Sequence, residues 1–267
     1  GIFHGIVSRY CGCMATKAQA TKVQATKRRK KSPGWVPNQH GAWAMVIAPL
    51  LVGAIAGGVH WIHVPLLAFW LSGYFLFFAA SLWLKSRRKP RYWPPVRAYA
   101  VSSTVLGLVV VALKPELIFW APAFLPALAV GLWAAAQRRE RDLEAGLATL
   151  VGSAFMTVVA FVAGGGEDLT RAWLLAAIQF LYFAGTIFYV KTVIRERNNP
   201  RFFWWSLVFH VAAAVAVAFI SPWMGLVFAV LALRAAVVPR FSPSPKALGI
   251  GEIFSTVIVS LASIFLV

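Results

Sequence analysis

The chain has 267 residues, 60% of them hydrophobic and only 13% charged, and its 26 Lys and Arg outnumber 8 Asp and Glu to give a formal net charge of +18. A mean hydropathy of +0.73 and an apolar share well above the roughly 45–50% of soluble domains exclude a water-surrounded fold, so the solvent is lipid. The positive charge is then explained by membrane topology and anionic headgroups, and nucleic acid is not an expected partner.

Residues 1–37 contain no acid and repeat the pattern Ala-Thr-Lys from Ala15, Ala20 and Ala25. A polar repeat of this kind buries too little to offset its ordering entropy, so a disordered basic tail is expected before a membrane domain at 38–267. Gly1 leads and Met14 opens the repeat, so residues 1–13 are read as lying upstream of the native start or as an addition to it. The basic stretch Lys27–Lys31 precedes a long apolar run without a small-residue cleavage site, which reads as an anchor rather than a signal peptide. Cys11 and Cys13 lie in this tail; two thiols alone do not complete a tetrahedral zinc shell, and a reducing compartment disfavours a disulfide.

A spanning helix needs about 20 apolar residues to cross about 30 Å of hydrocarbon. Runs of that kind occupy 41–60, 64–84, 117–136, 143–164, 172–190, 202–220 and 248–267, with shorter or interrupted ones at 98–113 and 222–238. Nine spans are therefore predicted. Alternating the loops between two sides puts 24 of the 26 basic residues on one side, leaving Lys114 and Arg171 on the other. A single miscounted span would scramble this alternation, and cytoplasmic loops collect Lys and Arg, so the N-terminus is expected inside and the C-terminus outside.

Polar groups at the span entrances are the candidates for chemistry. Asn38, Gln39 and His40 open the first span ahead of Trp43. One reading is a helix cap with an interfacial aromatic anchor; the other makes His40 an acid or base at a lipid headgroup. Arg138, Arg139, Glu140, Arg141, Asp142 and Glu144 lead into the fifth span. Their i,i+3 spacing pairs Arg139 with Asp142 and Arg141 with Glu144, either as a self-neutralised turn or with Arg138 or Arg141 directed into a cavity. Lys191, Arg195 and Asn198 share one face where the sixth helix leaves the membrane. Gln179, deeper in that helix, is expected to meet a neighbouring helix or a cavity. Glu252 is the acid expected to be buried, with Lys246 or a loop arginine as partner. His210 is read as an interhelical hydrogen bond, and Gly53 with Gly57 as a close helix contact.

Laid side by side, the second and sixth spans form a weak internal repeat: both are aromatic, end in Lys plus a hydroxyl residue at Lys85-Ser86 and Lys191-Thr192, and lead to Pro90-Arg91 and Pro200-Arg201. Chance and homology both account for so short a match. Catalytic triads, phosphate-binding glycine loops and metal-ligand clusters are absent from the sequence, and no metal or cofactor is expected.

The run Asn38 to Met45, the loop Lys85 to Arg97 with Pro94-Pro95, the turn Arg138 to Arg141, and Tyr182 to Thr186 with Lys191 to Arg197 resemble the YwiC-like family of bacterial membrane proteins, over most of residues 36–267. That resemblance implies a multi-pass protein of the bacterial plasma membrane and supplies no mechanism. More distantly, nine spans with signature loops after the second and sixth are similar to the UbiA prenyltransferases, whose aspartate-rich loops at those places bind a prenyl diphosphate through Mg²⁺. Here those loops carry Lys85, Arg87 and Arg88, and Lys191, Arg195 and Arg197, with Glu196 the one acid, so no catalytic residue carries over.

The expected fold is thus an all-α integral membrane protein, a UbiA-like bundle of nine transmembrane helices. Its expected function is to bind an anionic, phosphorylated lipid or isoprenoid in a basic cytoplasm-facing cavity, with or without metal-independent group transfer. Lys85, Arg88, Arg138, Arg141, Lys191 and Arg195 would clamp the headgroup. Asn38, Gln39, Gln179 and Glu252 would line the site, and His40 would act as acid or base. The alternative is a lipid transporter or flippase, or an accessory subunit of a membrane complex.

Overall fold

The computed structural model describes residues 34–37, 40–139 and 142–267, without the side chain of His40. The tail expected to be disordered, with Cys11 and Cys13, lies outside the described residues.

Nine α-helices occur among the described residues, in the order expected from hydropathy: α1 (His40–Gly57), α2 (His63–Lys85), α3 (Trp93–Leu113), α4 (Ala121–Ala136), α5 (Leu143–Ala163), α6 (Leu169–Ile194), α7 (Pro200–Ala218), α8 (Pro222–Val237) and α9 (Pro245–Leu266). Eight are long and apolar enough to cross a membrane, with α3, α4 and α8 extended by flanking 3-10 turns; α1 is the shorter exception. No strand occurs among the described residues, as lipid requires of any backbone that cannot close into a barrel.

The ends differ from the hydropathy runs where local chemistry intervenes. The first run ends at Gly57, and Gly58 turns the chain with a φ of +105°. α3 starts at Trp93, five residues earlier than expected, because Pro94 and Pro95 fit the first turn, where a missing N–H costs nothing. α6 is longer than expected at both ends and starts where Asp168 accepts from the Arg171 N–H at 3.0 Å.

α1, α5 and α6 form the middle of the bundle: α1 packs on α2, α5, α6 and α9, and α5 on α4 and α6. Within their apolar windows α5 is 61% buried and α6 56%, against 11% for α3. The α1–α5 contact is backbone to backbone. A Cβ at Gly53 would overlap the Thr157 carbonyl, and one at Gly57 would overlap Phe161, so the small-xxx-small pair is a close helix contact as expected. Pro49 inside α1 has no N–H for the Met45 carbonyl. Ser153 of α5 donates its hydroxyl to that oxygen, and Trp70 of α2 donates its indole N–H to the next carbonyl, Val46, at 2.9 Å.

α2, α3 and α4 flank this middle on one side, with α2 packed on α3 and α4; α7 and α8 pack on each other and reach it through α6 and α9. The two cations assigned to the end opposite the basic loops are both helix caps. Lys114 donates to the Val162 and Ala163 carbonyls at 2.9 and 3.0 Å, and Arg171 to the Ile264 carbonyl at 2.9 Å. Each satisfies the orphan carbonyls of a neighbouring helix C-terminus.

Candidate functional site

At the basic end, α2 and α4 stop in the same way. Arg87 N–H donates to Leu84 and Arg88 N–H to Trp83; Arg138 N–H donates to Ala135 and Arg139 N–H to Ala134. This is the Schellman pattern, and its left-handed position holds Arg87 (φ 58°) and Arg138 (φ 60°). Glycine is the usual residue there because a Cβ is strained; α5 uses Gly165 in the equivalent turn. Arginine at both turns puts cations on two adjacent helix C-termini, where they also meet the negative end of the dipole.

The two turns touch. Arg138 Nε–H donates to the Lys85 carbonyl at 3.3 Å. From Arg138 the rim continues through Arg139, which pairs with Asp142 at 2.7 Å, as the i,i+3 spacing predicted. That hydrogen bond, and then the Asp142 charge, raise the exposed Arg139 guanidinium above its ordinary pKa. Asp142 is also within electrostatic reach of Lys191, which lies beside Arg195 at the end of α6.

Below this rim, α2, α4 and α5 enclose a cavity of about 120 Å³, lined by Tyr74, Phe77, Phe78, Ser81, Gly131, Ala145 and Thr149. Ser81 is one turn, about 6 Å of helix, below Lys85. The hydroxyls of Tyr74 and Ser81 are buried and have no hydrogen-bond partner among the described residues, a cost that a polar occupant would remove. Gly131 keeps the space open, since a Cβ there would press on Phe77 and Thr149. Trp43, one turn along α1 from His40, packs edge-on against Tyr74 at 5.7 Å and Phe75 at 5.6 Å. A larger hollow of about 430 Å³ lies between α1 and α2 near His60, and its lining is almost wholly aliphatic.

The other sequence candidates separate. Arg88 is turned onto Trp83, its guanidinium 5.6 Å from the ring, rather than joining Lys85 and Arg138. Asn38, Gln39, Arg141 and the expected Arg141–Glu144 pair lie outside the described residues, as does the His40 side chain. Gln179 is fully buried and donates to Ser263 of α9 at 3.4 Å, an interhelical partner of the kind expected. His210 differs from expectation. Its Nδ1–H donates to the Ser206 carbonyl of its own helix at 2.7 Å, and its ring packs against Gly185 of α6.

Glu252 is buried as expected, but its partner is neither Lys246 nor a loop arginine. It pairs at 2.6 Å with Arg234 from within α8, and accepts from the Thr186 hydroxyl of α6 at 2.9 Å. Arg234 also donates to Ser255 at 2.8 Å and stacks over Tyr189 at 4.3 Å. Sequence reasoning missed Arg234 by counting it with the topology-setting cations. The available signal was that it interrupts an apolar run, as Glu252 does.

Nine apolar helices with cations gathered at one end define a multi-pass helical membrane protein. The YwiC-like protein family model matches residues 36–161. The chain is 32% identical over 205 residues to a Bacillus subtilis (strain 168) protein described as Uncharacterized protein YwiC, covering 75% of this chain and 84% of that one. It is 25% identical over 180 residues to an uncharacterized protein of Haemophilus influenzae, covering 67% and 76%. The chain belongs to the YwiC-like family. No solved structure matches it.

Proposed function

We propose that the protein binds an anionic, phosphorylated lipid of the bacterial plasma membrane at the basic end of the α2–α4–α5 cavity. The carrying observation is the pair of unpartnered hydroxyls, Tyr74 and Ser81, beneath the touching Lys85 and Arg138 turns. Guanidinium and ammonium groups recognise phosphate oxygens directly, and buried hydroxyls supply further donors. At roughly 30 Å³ per water the cavity holds about four waters, which suits part of a headgroup or one branch of an isoprenoid rather than a whole lipid. The remaining chain lies against the aromatic wall of Trp43, Tyr74 and Phe75. Lys191 and Arg195 extend the basic rim, and the positive-inside pattern supports a cytoplasmic position for it.

The test is native mass spectrometry of the purified full chain, with titration by phosphatidic acid and phosphatidylcholine. Retention of a phosphorylated lipid, selective for the anionic headgroup and lost in the Lys85→Ala/Arg138→Ala double variant, supports the reading. Equal binding of both lipids, unchanged by the variant, overturns it.

A further inference from the structure

The Glu252–Arg234 pair has no part in the proposed lipid site, yet it is the one ion pair in the structure between two spanning helices among the described residues. Ionisable groups at membrane depth are costly, and burying a pair offsets little of that cost unless the geometry does something besides stabilise. Glu252 lies seven residues into α9 and Arg234 three residues from the end of α8, so the pair is close to the basic end. Buried Tyr189, Val193, Ala235 and Leu248 form an apolar cluster beside it.

Both partners have alternatives in place. Oε2 of Glu252 faces the Thr186 hydroxyl at 2.9 Å, and a hydroxyl can accept from a carboxylic acid as well as donate to a carboxylate. Arg234 already donates to Ser255 and stacks on Tyr189, so its cation remains held when the carboxylate charge is gone. Oε2 therefore has a partner in both protonation states, whereas the buried Oε1 meets Arg234 as an ion pair and has no hydrogen-bond partner among the described residues. The connection between the two protonation states is mechanical: α8 packs mainly on α7 and meets α9 over a short stretch, where this pair is the charged tie.

We propose that Glu252 is a reversible proton-binding site whose protonation unties α8 from α9. One proton from water adds to the carboxylate, the Glu252–Arg234 charge pair becomes a neutral acid beside a cation, and the α7–α8 hairpin gains freedom to move against α9. The titratable and charged groups around Glu252 are few. α6 presents Tyr182 and Tyr189, and α8 presents Arg234. His210 of α7 is within electrostatic reach of Arg234, and α9 itself carries Lys246 on the basic side; α1 offers none among its described side chains. One carboxylate facing one arginine makes a proton the fitting ligand. A metal cation would meet the guanidinium's repulsion, and no group of three or more metal-ligating side chains gathers among the described residues.

The experiment uses the full chain in lipid nanodiscs with Cys11 and Cys13 replaced by Ser and spin labels at the exposed positions Leu233 and Ile253. Infrared difference spectra follow the carboxylic-acid carbonyl band, and pulsed electron resonance follows the label separation. The expected result is a band that develops reversibly on acidification and is missing in Glu252→Gln. Label distances shift along the same titration, and the Gln variant holds the low-pH distance at every pH. Arg234→Met, which leaves the carboxyl without its cation, is expected to carry the band already at neutral pH. A band that stays missing until helicity is lost overturns the proposal, as does one label distance shared by wild type and Glu252→Gln at every pH. Lipid binding at the α2–α4–α5 cavity is read separately by mass spectrometry, so the two readings fail independently.

Discussion

The α2–α4 flank and the α7–α9 flank hold the same central helices by different chemistry. On the first, the membrane-depth contacts are neutral: Ser72 bonds Ser102 and Ser103 at 2.6 and 2.9 Å, aromatic rings fill the space around Trp43, and the cations stay at the helix ends. Its polar imbalance is two hydroxyls left open beside a cavity. On the second, charge enters the helices themselves: Arg234 and Glu252 meet beside the Ser255 and Thr186 hydroxyls. Arg234 Nε, Glu252 Oε1 and the Ser206 and Ser260 hydroxyls are buried there without hydrogen-bond partners among the described residues, and they line neither cavity. The difference separates two uses of costly polar groups. An open hydroxyl beside a cavity under a cationic rim suits an arriving ligand, whereas a charge pair with neighbouring hydroxyls at hand suits a change of state.

The largest expected effect tests the second flank. Arg234→Met alone leaves a buried carboxyl unpaired and should lower stability by about 3–5 kcal/mol at alkaline pH, where that carboxyl is ionised, and by less where it is protonated, whereas Arg234→Met with Glu252→Leu should recover most of that loss. Thermal melts in one detergent measure both. If the double variant is as unstable as the single, the pair holds the fold and the contrast with the first flank collapses.

Next is the shared middle. Gly53→Leu forces a side chain into the Thr157 backbone and should cost roughly 3 kcal/mol or more, or abolish the monodisperse protein, by overpacking. Both flanks depend on α1 and α5, so lipid binding and the proton titration should fail together, unlike the flank variants.

On the first flank, Lys85→Ala and Arg138→Ala should each weaken anionic-lipid binding about tenfold, the ~1.4 kcal/mol expected for losing a charged hydrogen bond. Replacing the open hydroxyls, by Tyr74→Phe with Ser81→Ala, should leave stability within about 1 kcal/mol and still weaken binding several-fold. Native mass spectrometry and melts on the same samples separate the two effects. Last, at the left-handed position of the α4 turn, Arg138→Gly should melt later than Arg138→Ala by about 1 kcal/mol of stability, with equal loss of binding. Identical melts would show that the turn does not hold arginine against strain.

Much of this was legible in the chain because lipid is a demanding solvent. Apolar runs of fixed length and a one-sided distribution of cations marked the helices in order, and the i,i+3 spacing of Arg139 and Asp142 marked their pair. Gly53 with Gly57 marked the α1–α5 contact. The misses are of two kinds. The Arg234 partner of Glu252 is long-range; Arg88 on Trp83 and His210 on the Ser206 carbonyl are contacts about one turn away, where side-chain rotamers that the residue pattern does not set decide the partner.

Sequence alone determined how many times this chain crosses apolar space and which end collects its charge, because segment length and charge placement are local properties that the bilayer reads one helix at a time. The tertiary structure decided which polar groups meet. Lys85 lies 53 residues from Arg138 and Thr186 lies 66 from Glu252, and hydropathy carries no signal for such pairs. Their meeting depends on which helix faces pack together, and that is chosen by close glycine contacts and side-chain fit across the whole bundle.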